Sequence, residues 1–184
     1  MQNAAAKRFV EGVILYDGER RACWTSAVCD STSRVVGDGP STSDGEIDVS
    51  TDQDAIDLLA REFFAAFTNS NGTATNVRDI YDLAIPTAVI VKAMAPTPES
   101  YSLRDFVEPR QALLSSGTLV NFEESELSAR TDIAGNVAQR YSRYRKTGIL
   151  AGVRFVIDGV KMFQFVRLPE GWRISALAWD DEAP

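Results

Sequence analysis

Four runs in the last third of the chain alternate apolar and polar residues, and no other feature constrains the fold as much. They run from about Leu119 to Thr131, Asn136 to Arg145, Val160 to Leu168 and Gly171 to Asp180. Asp132-Ile133-Ala134-Gly135 and Pro169-Glu170-Gly171 separate them with turn residues. Such runs predict successive antiparallel strands. Thr147 to Gly159, with three glycines, reads as a long loop or an irregular excursion at the mouth of the sheet. The last strand carries Trp172 and Ile174 on one parity and Leu177 and Trp179 on the other, which predicts a sheet apolar on both faces.

Helical signals precede this sheet. Ser50 or Thr51 is an expected cap, Asp52 and Asp54 suit the positive end of the helix, and Gln53 completes a Ser-x-x-Gln box. Ile56, Leu59, Phe63, Phe64 and Phe67 then recur at helical spacing until Asn69 to Gly72 stop the run. A short helix is expected from Asn76 to about Ala84, ended by Pro86 ahead of the β-rich run Thr87 to Val91. Pro96 and Pro98 mark a loop. Ser102 is placed to cap a third helix to about Ser115, kinked or split at Pro109. Residues 1–48 read as a poorly ordered or accessory extension, rich in Ser, Thr, Gly and Asp from Ser31 onward, and 49–184 as the folded domain.

Composition removes several kinds of function. The chain of 184 residues has no histidine, so imidazole catalysis and His-ligated zinc are excluded. Cys23 and Cys29 are too few for a four-ligand zinc site and read as free thiols of a cytoplasmic protein. The net charge of −7 argues against nucleic acid. The dense basic cluster Arg140, Arg143, Arg145 and Lys146 lies on an expected strand, so its charge is divided between two faces. No apolar run reaches membrane-spanning length. Asp180-Asp181-Glu182 reads as a solvated tail; neither a metal nor a cofactor is expected.

Phe63-Phe64-Ala65-Ala66-Phe67, Ala138 to Tyr144, Phe163-Gln164-Phe165-Val166-Arg167 and Gly171-Trp172-Arg173-Ile174 carry a resemblance. From roughly residue 50 to 182 the chain resembles the nuclear transport factor 2-like superfamily, and within it the SnoaL-like proteins. The resemblance implies an α+β fold: a cone-shaped, strongly curved antiparallel sheet wrapped around three helices, with a ligand pocket in the cone. It also implies homodimers through the outer sheet face. Family members include isomerases, dehydratases, cyclases and binding domains, so the fold leaves the function open.

The expected function is binding of a small apolar or aromatic ligand. The alternatives are a ketosteroid-isomerase-like or polyketide-cyclase-like enzyme using a carboxylate and a tyrosine, and a non-catalytic interaction subunit. Phe63, Phe67 and Trp179 are candidate pocket walls. Tyr81, Tyr141, Tyr144 and Gln164 are candidate polar contacts, and Glu123, Asp79 and Asp82 are the nearest carboxylates. Tyr141 and Tyr144 differ by three positions, so at most one faces the cone. No pattern selects a catalytic residue.

Overall fold

The computed structural model describes residues 49–70, 74–93 and 97–182. The expected extension 1–48, both cysteines and the side chains of Ser50 and Thr51 lie outside the described residues. Helix α1 spans Val49–Ala65; a 3-10 turn, Val77–Asp79, leads into the single-turn α2, Ile80–Leu83. Strands β1, Ala84–Lys92, and β2, Glu99–Ser102, precede helix α3, Leu103–Ser115. Four long strands follow: β3, Leu119–Ala134; β4, Val137–Leu150; β5, Val153–Leu168; and β6, Gly171–Asp181. The sheet order is β2-β1-β6-β5-β4-β3. β1 runs parallel to β6, and every other pairing is antiparallel. This is an α+β fold with an open, mostly antiparallel sheet. The short strand β2 replaces part of the expected loop after Pro98.

The helices dock by apolar stripes. Ile56, Leu59, Ala60, Phe63 and Phe64 of α1 are buried, whereas Arg61, Glu62 and Ala65 face out. Phe63 sits among Phe64, Phe67, Phe106 and Phe163, with ring centroids 5.2–6.3 Å away. Two charged clamps tie α1 to the sheet. Arg140 holds Glu126 through Nε at 2.9 Å and Nη2 at 2.6 Å, and reaches Asp57 at 2.5 Å. Asp52 accepts from Arg167 and from the Trp172 indole.

In α3, the Ser102 hydroxyl accepts from the Asp105 backbone N–H at 3.2 Å, the expected cap. The helix is not split at Pro109. Phe106 and Val107 on one side of the proline, and Leu113 and Leu114 on the other, are all buried. Their shared docking face outweighs the one lost backbone hydrogen bond.

The stretch 147–159 is strand, not the expected loop. Only Ala151 and Gly152, at φ 48° and 87°, make the β4–β5 turn. Gly148 and Gly159 lie inside the strands because neighbours crowd them. A Cβ on Gly148 would come 3.1 Å from the Phe155 ring; one on Gly159 would sit 2.5 Å from the Asp180 carbonyl and 2.8 Å from the Tyr144 ring.

Two bulges decide which residues face the helices. In β3, Val120 pairs with Ile149 and Glu123 with Thr147, so three steps on one strand meet two on the other. Asn121, at φ 50°, occupies the extra position. In β6, Gln164 pairs with Ala176 and Phe165 with Ile174, leaving Ser175 as the extra residue. Trp172, Ile174, Leu177 and Trp179 are therefore all buried. This corrects the expectation of two apolar faces on β6: the parity changes at Ser175, and all four side chains join one core.

Candidate functional site

Between α3 and the inner face of the sheet lies a cavity of about 50 Å³. Its apolar lining comes from Phe67 just past α1, Phe106, Leu113 and Leu114 of α3, Leu119 and Phe122 of β3, and Trp179 of β6. Four charged side chains also line it: Arg110, Glu124, Lys146 and Lys161. Each is at least nine-tenths buried. Buried ions on this scale need partners: Lys161 pairs with Glu124 and Lys146 with Asp181, while Arg110 is held by a backbone carbonyl and aromatic rings.

The β3 bulge turns Glu124 inward, where its carboxylate accepts from the Lys161 ammonium. The Lys161 Nζ also lies 3.5 Å above the centre of the Tyr144 ring and 5.1 Å from that of Phe64. Directly behind, the Tyr144 hydroxyl donates to one oxygen of Asp181, and Lys146 donates to the other at 2.6 Å. On the helix side, the Arg110 guanidinium stacks 3.9 Å over the Phe106 ring, within 5.5 Å of Tyr101 and Trp179, and donates to the Phe106 carbonyl at 2.9 Å.

Burial moves the titrations of Lys161, Arg110 and Tyr144. It pushes the Lys161 ammonium below the ordinary lysine value; the Glu124 charge partly offsets this, and Lys146 adds to it. Arg110 is pushed down to about 10, again by burial. Tyr144 is held far above an ordinary phenol, first by burial and then by the negative charges of Asp181 and Glu124. Tyr144 is thus a neutral donor at any physiological pH. Lys161 and Glu124 form a buried ion pair.

Of the residues named from sequence, Phe67 and Trp179 line the cavity, whereas Phe63 packs behind it in the aromatic core. Tyr144 is fully buried and supports Lys161; Tyr141, on the opposite parity, is 40% exposed on the outer face. Tyr81 is exposed and its hydroxyl donates to Glu108 at 3.1 Å. Asp79 and Asp82 are exposed. Glu123 points outward, one position from the carboxylate that enters the cavity. Gln164, a candidate polar contact of the pocket, is exposed on the outer face of β5, because Phe163 and Phe165 take the inner parity.

Sequence reasoning passed over the four charged lining residues. Three had a signal. Lys161 shares the parity of Phe163 and Phe165, Lys146 that of Ala138 and Tyr144, and Arg110 lies one helical turn from both Phe106 and Leu114. Glu124 had none, because its orientation depends on the bulge. The basic cluster is divided as expected: Arg140 and Lys146 are buried, while Arg143 and Arg145 face out and pair with Glu182 and Asp158. Among the described residues, no cluster of acidic or cysteine side chains could hold a metal ion, and no helix is long and apolar enough to cross a membrane.

No family model matches the sequence, and no curated protein matches it. Solved structures do. A nuclear transport factor 2-like superfamily protein from Salmonella enterica aligns at TM-score 0.61 and 14% identity, covering 74% of this chain and 94% of its own. An uncharacterised protein with a cystatin-like fold from Caulobacter vibrioides aligns at TM-score 0.57 and 14% identity, covering 73% and 92%. A third, with the same fold and from Novosphingobium aromaticivorans, aligns at TM-score 0.55 and 12% identity, covering 72% and 82%. At these identities the likeness establishes the fold. The chain has the nuclear transport factor 2-like, cystatin-like fold.

Proposed function

We propose that this chain is a small-molecule-binding protein whose site is the cavity between α3 and the sheet. The carrying observation is the Lys161–Glu124 pair in a cavity walled by aromatic and aliphatic side chains, with Arg110 and Lys146 as its other charged members. Apolar walls with a few convergent polar groups are the usual make-up of a ligand site. The volume of about 50 Å³ holds roughly three to five water-sized groups, far below a drug-sized pocket. The expected apolar or aromatic ligand narrows accordingly to a compound of few heavy atoms, with one polar group for Lys161 or Glu124. A steroid does not fit.

The arrangement favours binding over ketosteroid-isomerase-like chemistry. That chemistry needs a carboxylate free to take a proton from a substrate carbon, beside a tyrosine hydroxyl free to bind the carbonyl oxygen. Here Glu124 is engaged by Lys161, and the Tyr144 hydroxyl is turned to Asp181. The reading extends to a homodimer in a cytoplasmic setting. Tyr141 pairs with Met162, Met162 with Ala178, and Ala178 with Val91, which lays an apolar band across four strands of the outer face. A second copy is the cover we propose for it.

A thermal-shift screen of small carboxylic acids, aldehydes and ketones, with aromatic acids as compounds too large for the cavity, tests the binding reading. A ligand of the site raises the melting temperature as its concentration passes the Kd, adding about 2.7 kcal/mol at a hundredfold excess. The response should fall in Glu124→Gln. No shift across such a library in a folded protein would remove the binding reading and leave an interaction subunit with a filled core.

A further inference from the structure

We infer that Lys161 is a carbonyl-reactive amine, and that the compound the cavity accepts is a small aldehyde or 2-oxo acid. This rests on the reading of the cavity as a ligand site and adds covalent chemistry to it.

Three features single out Lys161. Lys161 lines the cavity although it is only 4% exposed, so a carbonyl compound held there is away from bulk water. Glu124 is bonded to its Nζ and is the proton acceptor an amine needs before it can attack. The Tyr144 ring, 3.5 Å from Nζ, stabilises a cation at that point, whether ammonium or iminium. Burial also lowers the proton affinity of the amine, which increases the nucleophilic fraction. The cavity volume limits the partner to a carbonyl compound of a few heavy atoms.

The steps balance with these groups alone. Glu124 takes a proton from the ammonium, giving a neutral amine and a neutral acid. The nitrogen lone pair bonds to the carbonyl carbon as the carbonyl π pair moves to oxygen, and that oxygen takes the proton back from Glu124. Glu124 then removes a second proton from nitrogen and delivers it to the hydroxyl, which leaves as water. The sum is one ammonium plus one carbonyl compound giving one iminium plus one water. The iminium keeps the positive charge that Glu124 and Tyr144 already accommodate.

The test is reductive trapping. The full chain is incubated with glyoxylate and cyanoborohydride, and adducts are located by peptide mass mapping. The lysines are Lys7, Lys92, Lys146 and Lys161, so each is resolved separately. Lys161 should be labelled about tenfold faster than Lys92, because Glu124 is held at its nitrogen as a proton acceptor and burial lowers its proton affinity. Lys161→Arg keeps the ion pair and should lose that adduct while remaining folded by circular dichroism. Glu124→Gln should slow labelling at Lys161 and leave Lys92 unchanged. Labelling at Lys161 no faster than at Lys92, with glyoxylate still raising the melting temperature, would overturn the amine chemistry and leave the ligand site standing. Neither labelling nor a melting shift, with glyoxylate or any compound of the screen, would overturn both.

Discussion

Asn69 commits its side chain to one irregularity in β3. Its Oδ1 accepts from the Phe122 N–H at 2.7 Å, and its Nδ2 donates to the Leu119 and Leu114 carbonyls at 2.7 and 3.1 Å. Phe122 lies where the β3–β4 register is interrupted, and Leu114 lies in the last turn of α3. The bulge turns Glu124 inward, so Asn69 positions the cavity's carboxylate without touching the cavity. Asn69→Ala should cost about 1–3 kcal/mol, read in urea as a lower midpoint at unchanged slope. Tyr144 gives a pH-dependent case. Its folded pKa is raised above the unfolded value near 10, so the stability it contributes is fully present below pH 10 and is lost as pH rises further. The stability difference between the wild type and Tyr144→Phe should therefore be flat up to about pH 10. Above that it should shrink by up to about 1.4 kcal/mol per pH unit. A difference that grows above pH 10 would contradict this environment for Tyr144.

At the scale of elements, β6 shows what one extra residue does. Ser175 changes the parity of the strand, so that Trp172 and Ile174 before it and Leu177 and Trp179 after it share one face. Deleting Ser175 would send Leu177 and Trp179 to the outer face, because a one-residue slip moves every following side chain. The deleted protein should lose its near-ultraviolet circular dichroism and its cooperative urea transition. Bulges also account for what sequence reading could and could not reach. Helices α1 and α3, the cap at Ser102 and the opposite parities of Tyr141 and Tyr144 follow from spacing that a sequence displays directly. Glu124 rather than Glu123, and the single apolar face of β6, depend on bulges held by Asn69 and by register with β5, contacts remote in sequence. The loop expected over 147–159 failed for a related reason. Gly148 and Gly159 are glycine because Phe155, Tyr144 and the Asp180 carbonyl approach closely, not because the chain turns there.

For the molecule as a whole, the sheet has one face committed to the helices and one carrying Val91, Tyr141, Met162 and Ala178 in a connected row. If a second copy covers that row, sedimentation at micromolar concentration should give a dimer, and Met162→Asp should weaken it by tenfold or more, about 1.4 kcal/mol. A monomer for the wild type would mean that the row stays exposed. The inner face holds the cavity on which the functional account depends, with Lys161 and Glu124 on the sheet side and the aromatic rings of Phe106, Phe122 and Trp179 around them. The most direct test is a crystal structure of the protein soaked with the strongest ligand from the thermal-shift screen. Non-protein density is expected in the cavity, with a polar atom about 3 Å from Lys161 or Glu124. A cavity filled by water or by rotated side chains, with the Lys161–Glu124 contact unchanged at saturating compound, would contradict it.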